Sequence, residues 1–250
     1  MQVYTGPGWE VREGRWEDSP LETCDHVISD PPYDAATHKG HGCETRNRAP
    51  VEFDPVVPAD IAAPLVAIAQ CWTILFCSDL QGSEYGHAVG GRRTTGGNFV
   101  RLGLWLKIGP MPQFSGDRPA SWGECIAIMH APGKMRWNGG GRPAVWRFGS
   151  DHTDRFHQTP KPLDLMLALV SDFTDPGDLV WDPFCGSGTT GVACLRLGRR
   201  FVGHEMQPHY AKVASERLEA EGRCLTLADV RRGQTSILDR LTDNTGGHDG

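Results

Sequence analysis

The stretch from Gly177 to Glu205, GDLVWDPFCGSGTTGVACLRLGRRFVGHE, constrains the fold more than any other. An apolar run ends in an acid, a glycine-rich turn follows, and a helical pattern stops at Gly198 before a second apolar run closes on Glu205. That order predicts a parallel crossover unit, because two parallel strands need a long connection and a helix supplies it. Gly186, Gly188 and Gly191 fall in the spacing GxGxxG directly after the first strand, so the turn is tight and a ligand can approach its backbone. Glu205 ends the next strand, where a carboxylate can accept hydrogen bonds from a ribose. Taken alone, this spacing suits a dinucleotide as well as a smaller nucleoside cofactor. About sixty residues follow Gly191, room for one more strand and helix rather than a second mononucleotide half, which favours the smaller group. No GxxxxGK[ST] occurs, and the P-loop reading fails.

The rest of the chain repeats the alternation. CDHVIS, 24 to 29, reads as a buried strand halted by Asp30-Pro31-Pro32, since proline removes a ladder donor and restricts the residue before it. A helix is predicted from Pro58 to Gln70, then the continuous apolar strand CWTILFCSD. NFVRLGLWLKIG and GECIAIMHA follow without a helix between them, which predicts one antiparallel strand. KPLDLMLALVSDFT is a helix with Pro162 in its first turn, and PHYAKVASERLEAEG is an amphipathic helix capped by its glycine. The expected class is α/β: a mostly parallel twisted sheet with one antiparallel strand and helices on both faces. At 250 residues the chain suits one domain, 1–250.

Composition narrows the setting. Ile61 to Cys77 is broken by Pro64 and Gln70, too interrupted for a membrane span, and no basic stretch precedes an apolar run at the N-terminus. We expect a soluble, intracellular protein without membrane contact. None of the eight cysteines forms a CxxC, so reduced thiols are expected. His38, His41 and Cys43 match no zinc spacing, and no metal is expected. The net charge of −6 excludes a uniformly basic coat but not a local basic stripe.

Three segments together resemble a known family. DPPY at 30–33, HQTPKP at 157–162 and DPFCGSGTT at 182–190 look like the catalytic, cofactor-flanking and cofactor-binding motifs of S-adenosylmethionine-dependent DNA amino-methyltransferases. Their order, catalytic motif first, is similar to the permuted beta group of that family. The resemblance implies a Rossmann-like methyltransferase fold with circularly permuted motifs and S-adenosylmethionine as cofactor. It implies cofactor contacts along the turn from Asp182 through Phe184, Gly186, Gly188 and Thr189, with Glu205 on the ribose. In the flanking motif His157, Thr159, Lys161 and Pro162 carry over, with Lys161 either facing the cofactor carboxylate or solvating the helix start. The family's early Gly-Asp is Gly14-Arg15 here, and the cofactor adenine contact stays unassigned.

The chemistry explains the catalytic motif. An exocyclic amine on a base is a poor nucleophile because its lone pair is delocalised into the ring. The Asp30 carboxylate and the Pro31 carbonyl, accepting its two N–H bonds, would favour a pyramidal nitrogen; Pro31 and Pro32 fix the carbonyl's direction. Tyr33 offers a face for a base flipped out of a duplex. Asp rather than Ser before Pro-Pro-Tyr resembles the adenine-N6 members more than the cytosine-N4 members. An RNA amino-methyltransferase and a non-catalytic nucleic-acid-binding module remain the competing readings.

Between His130 and Pro162 lie six Lys or Arg and two Asp, with Trp137, Trp146 and Phe148 interleaved. Residues 131–152 are therefore expected to be a short target-recognition insertion, with Lys134, Arg136, Arg142 and Arg147 on double-stranded DNA and a short or relaxed site. The plain alternative is a solvated basic loop whose tryptophans plug the core. Arg46 and Arg48 extend the expected surface from a mobile loop, 34–54, beside the active site. Gln234 to Leu238 looks like the peptides that dock replication sliding clamps, although an edge strand is the simpler reading; 239–250 should be a disordered tail. A homodimer is a further partner compatible with the sequence.

Overall fold

A computed structural model of the chain describes residues 1–32, 56–91, 96–109, 114, 116–117, 119–149 and 161–224. The strands are β1 (Val3–Gly6), β2 (Trp9–Glu13), β3 (His26–Ser29), β4 (Trp72–Cys77), β5 (Asn98–Ile108), β6 (Gly123–His130), β7 (Val145–Gly149), β8 (Leu179–Asp182) and β9 (Arg200–Glu205). The helices are α1 (Pro58–Ile68), α2 (Gly82–Ala88), α3 (Leu163–Phe173), α4 (Thr189–Arg196) and α5 (Pro208–Gly222).

Among the described residues these nine strands join one sheet in the order β1-β2-β9-β8-β3-β4-β6-β5-β7. β2, β9, β8, β3 and β4 run parallel, β6 is antiparallel to both β4 and β5, and β7 runs parallel to β5. β6 is thus the antiparallel strand expected between two consecutive apolar runs. A second antiparallel strand, β1, pairs with β2 at the far edge. It raises the count by one because Gly6-Pro7-Gly8 turns a short hairpin, with Gly8 at φ 80°.

The middle strands read as unbroken apolar runs because both their faces are covered. Leu165, Met166, Leu169, Val170 and Phe173 of α3, with Ala211, Ala214 and Leu218 of α5, pack on Ile28, Ile74, Phe76, Ile126 and Val180. On the other face Ile61, Leu65 and Val66 of α1 and Tyr85 pack on Val27, Leu75, Ala127, Met129 and Trp181. Among the described residues no helix is long and apolar enough to cross a membrane.

One glycine departs from its expected role. Gly222 is the last residue of α5 rather than its cap, and the left-handed position falls on Cys224, at φ 51°. At α4 the expectation holds: Gly198, at φ 74°, follows the last turn, and Arg199 N–H returns to the Cys194 carbonyl.

The winding decides where a ligand can go. From β3 the chain proceeds outward to β4 on one side, and from β8 outward to β9 on the other, while β3 and β8 are themselves paired through His26–Val180 and Val27–Trp181. In open parallel sheets the crevice beyond the strand ends at such a reversal is where ligands collect.

Candidate active site

Ser29 and Asp182 end the two strands at the reversal, and their side chains bridge it. Ser29 Oγ donates to Asp182 Oδ1 at 2.5 Å. Thr190 Oγ1 donates to Asp182 Oδ2 at 2.6 Å, and Phe184 N–H donates to Oδ1 at 3.1 Å. Despite these three donors, burial dominates and pushes the Asp182 carboxyl up to about 6. Asp30 and the turn after Asp182 therefore leave adjacent strand ends, the condition under which a permuted motif order builds one site.

The turn is shaped by its glycines. Gly186 has φ 52° and Gly188 has φ 82°, the left-handed region that side chains avoid, and a Cβ on Gly188 would lie 3.0 Å from that of Ala214. Gly191 serves packing, since a Cβ there would meet Phe201 and Leu218 at 2.7 Å. Gly186 N–H donates to Glu205 Oε2 at 2.9 Å and Gln207 N–H to Oε1 at 2.8 Å, so the acid at the end of β9 is clamped beside the turn. Burial raises its carboxyl to about 7, against the pull of those two donors. From α5, Arg217 Nη1 donates to the Ser187 carbonyl at 2.8 Å and the Ser187 hydroxyl at 2.9 Å, and reaches Thr189 Oγ1 at 3.3 Å. Arg217 was not among the sequence candidates, being one charged residue among several in PHYAKVASERLEAEG.

Lys161, two residues ahead of α3, is placed on the catalytic-motif acid. Its Nζ lies 2.6 Å from Asp30 Oδ2 and 3.1 Å from Glu124 Oε2, and rests 4.8 Å from the centre of the Phe76 ring. Glu124 in turn takes Lys107 Nζ at 2.9 Å. Burial alone would lower the Lys161 ammonium, but the two carboxylates outweigh it and hold its pKa above the usual lysine value. Glu124 and Lys107 were not among the sequence candidates. The signal for them was a charged residue inside each of two apolar strands, GECIAIM and LWLKI.

The Pro32 carbonyl accepts from Val56 N–H at 2.7 Å, so the two residues that flank 33–55 meet beside Asp30-Pro31. Tyr33, His157, Arg46 and Arg48 lie outside the described residues, as do the expected loop 34–54, the candidate clamp peptide Gln234 to Leu238 and the tail.

In the expected DNA-binding insertion two of the arginines are held in ion pairs. Arg142 Nη2 binds Asp172 Oδ1 at 2.5 Å, and Trp146 Nε1 donates to the same carboxylate at 2.8 Å; Arg136 Nη1 binds Asp175 at 3.1 Å. Trp137 packs 4.9 Å from Phe173, and Trp146 6.0 Å from it. Trp146 is buried because β7 is a strand of the sheet and its inward residue must pack, and half-buried Trp137 packs beside it under α3. Lys134 and Arg147 are exposed, and so are Arg136 and Arg142, whose side chains are 77% and 60% exposed despite their ion pairs.

Comparison with known proteins agrees with this geometry. Residues 94–216 match a family described as DNA methylase. "Type II methyltransferase M.XycI" of Xanthomonas campestris pv. cyanopsidis is 33% identical over 130 residues, 47% of this chain and 43% of that protein. "Type II methyltransferase M2.DpnII" of Streptococcus pneumoniae is 51% identical over 65 residues, 26% of this chain and 24% of that protein. The matched segments thus span less than half the length of these curated relatives. In fold, the chain is similar to a crystal structure of an M1.HpyAVI–SAM complex (TM-score 0.66, 23% identity, 84% of this chain and 98% of that one). It is also similar to the cytosine-N4-specific PvuII DNA methyltransferase (TM-score 0.62, 15% identity, 94% and 97%). Residues 94–216 are thus similar to the DNA methylase family, and over most of its length the chain shares the fold of these two solved structures.

Proposed function

We propose that the chain transfers a methyl group from S-adenosylmethionine to the exocyclic N6 amine of an adenine flipped out of double-stranded DNA. The observation that carries this reading is the Ser29–Asp182 junction, which brings the strand end bearing Asp30 beside the strand end bearing the glycine turn.

The residues at the turn fit the cofactor. Glu205 uses two of its acceptor positions on Gly186 and Gln207, and a carboxylate offers about four, which leaves capacity for ribose hydroxyls. Bound S-adenosylmethionine supplies an electrophilic methyl on a sulfonium centre. On the other side of the junction Asp30 accepts one N–H of the target amine and the Pro31 carbonyl accepts the other. The lone pair is thereby turned out of the ring, with little reorganisation left for the moment of reaction. Lys161 beside Asp30 favours the ionised carboxylate that this role needs. Adenine is preferred to cytosine because the acid, rather than a serine, precedes Pro31-Pro32. Exposed Lys134 and Arg147 serve as phosphate contacts.

The test is incubation with S-adenosylmethionine and unmethylated genomic DNA, followed by nucleoside mass spectrometry and methylation-sensitive sequencing. N6-methyladenine at a short sequence is the expected product. N4-methylcytosine would replace the base assigned, methylation of RNA alone would replace the substrate, and absence of S-adenosylmethionine binding by calorimetry would overturn the reading.

A further inference from the structure

We propose that Glu124 is a positioning residue for this reaction, acting through Lys161 on Asp30, with Lys107 holding Glu124 from behind. The inference rests on the function proposed above and assigns parts to two residues outside the family motifs that the sequence displays.

The four side chains form one line. Asp30 Oδ2 takes Lys161 Nζ at 2.6 Å, Lys161 reaches Glu124 Oε2 at 3.1 Å, and Glu124 Oε1 takes Lys107 Nζ at 2.9 Å. Asp30 follows β3, Glu124 lies on β6 and Lys107 on β5, so the line crosses consecutive strands of the sheet, with Phe76 of β4 beneath the ammonium of Lys161. Lys107 lies 4.9 Å from the centre of the Trp105 ring. Side-chain exposure is 33% for Asp30, 12% for Lys161, 17% for Glu124 and 26% for Lys107, so solvent screens the inner pair least.

The charges explain why four members are needed. A lone Lys161–Asp30 pair would fix the carboxylate but also bind it tightly, and an incoming neutral amine would compete poorly against a full positive charge. A second carboxylate takes one of the ammonium's three donors and part of its field, which loosens the grip on Asp30 without losing its orientation. Glu124 by itself would add an uncompensated half-buried anion near Asp30; Lys107 supplies the compensation, and the quartet is neutral. The charge of Asp30 in turn reaches two groups on neighbouring elements, where it adds to the upward shifts that burial gives Asp182 on β8 and Tyr85 on α2.

The proposal is tested on the full chain carrying 13Cγ-labelled aspartate, with and without Glu124→Gln. In the substrate-free protein the Asp30 titration should move down by about one pH unit in Glu124→Gln, because Lys161 then no longer shares its charge with the Glu124 carboxylate. In Lys107→Met it should move up, because Glu124 loses its compensation. In turnover, Glu124→Gln should lower kcat by about tenfold and shift the acidic limb of the pH profile down, with S-adenosylmethionine affinity unchanged and Glu124→Asp restoring part of the rate. An Asp30 titration that stays put in both variants overturns the inference, as does a wild-type kcat and pH profile in Glu124→Gln. If the wild-type chain methylates neither DNA nor RNA, the functional reading fails separately, and the Asp30 titration still decides whether the quartet controls that acid.

Discussion

Ser29 Oγ and Asp182 Oδ1 are 2.5 Å apart, although 153 residues separate them in the chain. The bond is buried, joins two adjacent strand ends, and lies one residue before the catalytic-motif acid on one side and at the first residue of the glycine-turn motif on the other. It therefore fixes the spacing between the proposed amine acceptor and the proposed methyl-donor turn. Ser29→Ala leaves a buried carboxylate short of one donor and should cost about 2 kcal/mol in urea unfolding. Because the loss falls on mutual alignment, kcat should fall more than S-adenosylmethionine affinity. A variant that loses stability while retaining kcat would limit the bond to a structural role.

Asp182 makes stability depend on pH in an unusual direction. Its carboxyl stands near 6 in the folded protein against 3.8 as the ordinary value, so between those values the native state holds a proton that the unfolded chain releases. Its contribution is thus full below the unfolded value and is lost as pH rises through about 6. A shift of that size corresponds to about 3 kcal/mol. Urea unfolding measured across this window should show stability falling with rising pH, and Asp182→Asn should flatten that part of the slope.

Glu205 predicts the pH dependence of cofactor binding. Its carboxyl is raised to about 7 by burial, and ribose hydroxyls are donors to the ionised form. Affinity for S-adenosylmethionine, followed by calorimetry, should therefore rise as pH increases through about 7. Since the ligand's own amine also titrates, the decisive comparison is Glu205→Gln, which should bind more weakly and lose the part of the pH dependence that belongs to the protein.

The elements legible in the sequence were those in which a short pattern determines the structure. β8, the turn and α4 follow from an apolar run, three spaced glycines and a helical period, and β3 stops where Asp30-Pro31-Pro32 makes a further ladder bond impossible. α2 was not legible: GSEYGHA has two glycines and no helical stripe, and it is held by one fully buried ring, Tyr85. β7 was hidden by its glycine-rich surroundings, and only its pairing with β5 shows that Trp146 points inward. The Lys161–Asp30 ion pair could not be read at all, because it joins residues 131 apart through a sheet order that no local pattern encodes.

The insertion arginines should separate in solution as they do in the fold. Arg142 shares Asp172 with Trp146, and Asp172 is only 7% exposed, so Arg142→Ala strips a nearly buried carboxylate of its cation. The outcome should be a lower unfolding midpoint, with the salt dependence of DNA affinity unaltered in the protein that remains folded. Lys134 and Arg147 are exposed, and neither side chain closes the core. Lys134→Ala and Arg147→Ala should leave the midpoint in place and weaken DNA binding similarly for all sequences. Each lost phosphate contact should reduce the slope of log affinity against log salt by about 0.9. A salt slope unchanged in both variants would move the DNA surface off this face, whereas a loss of sequence preference in Arg147→Ala would place that side chain on a base edge rather than a phosphate.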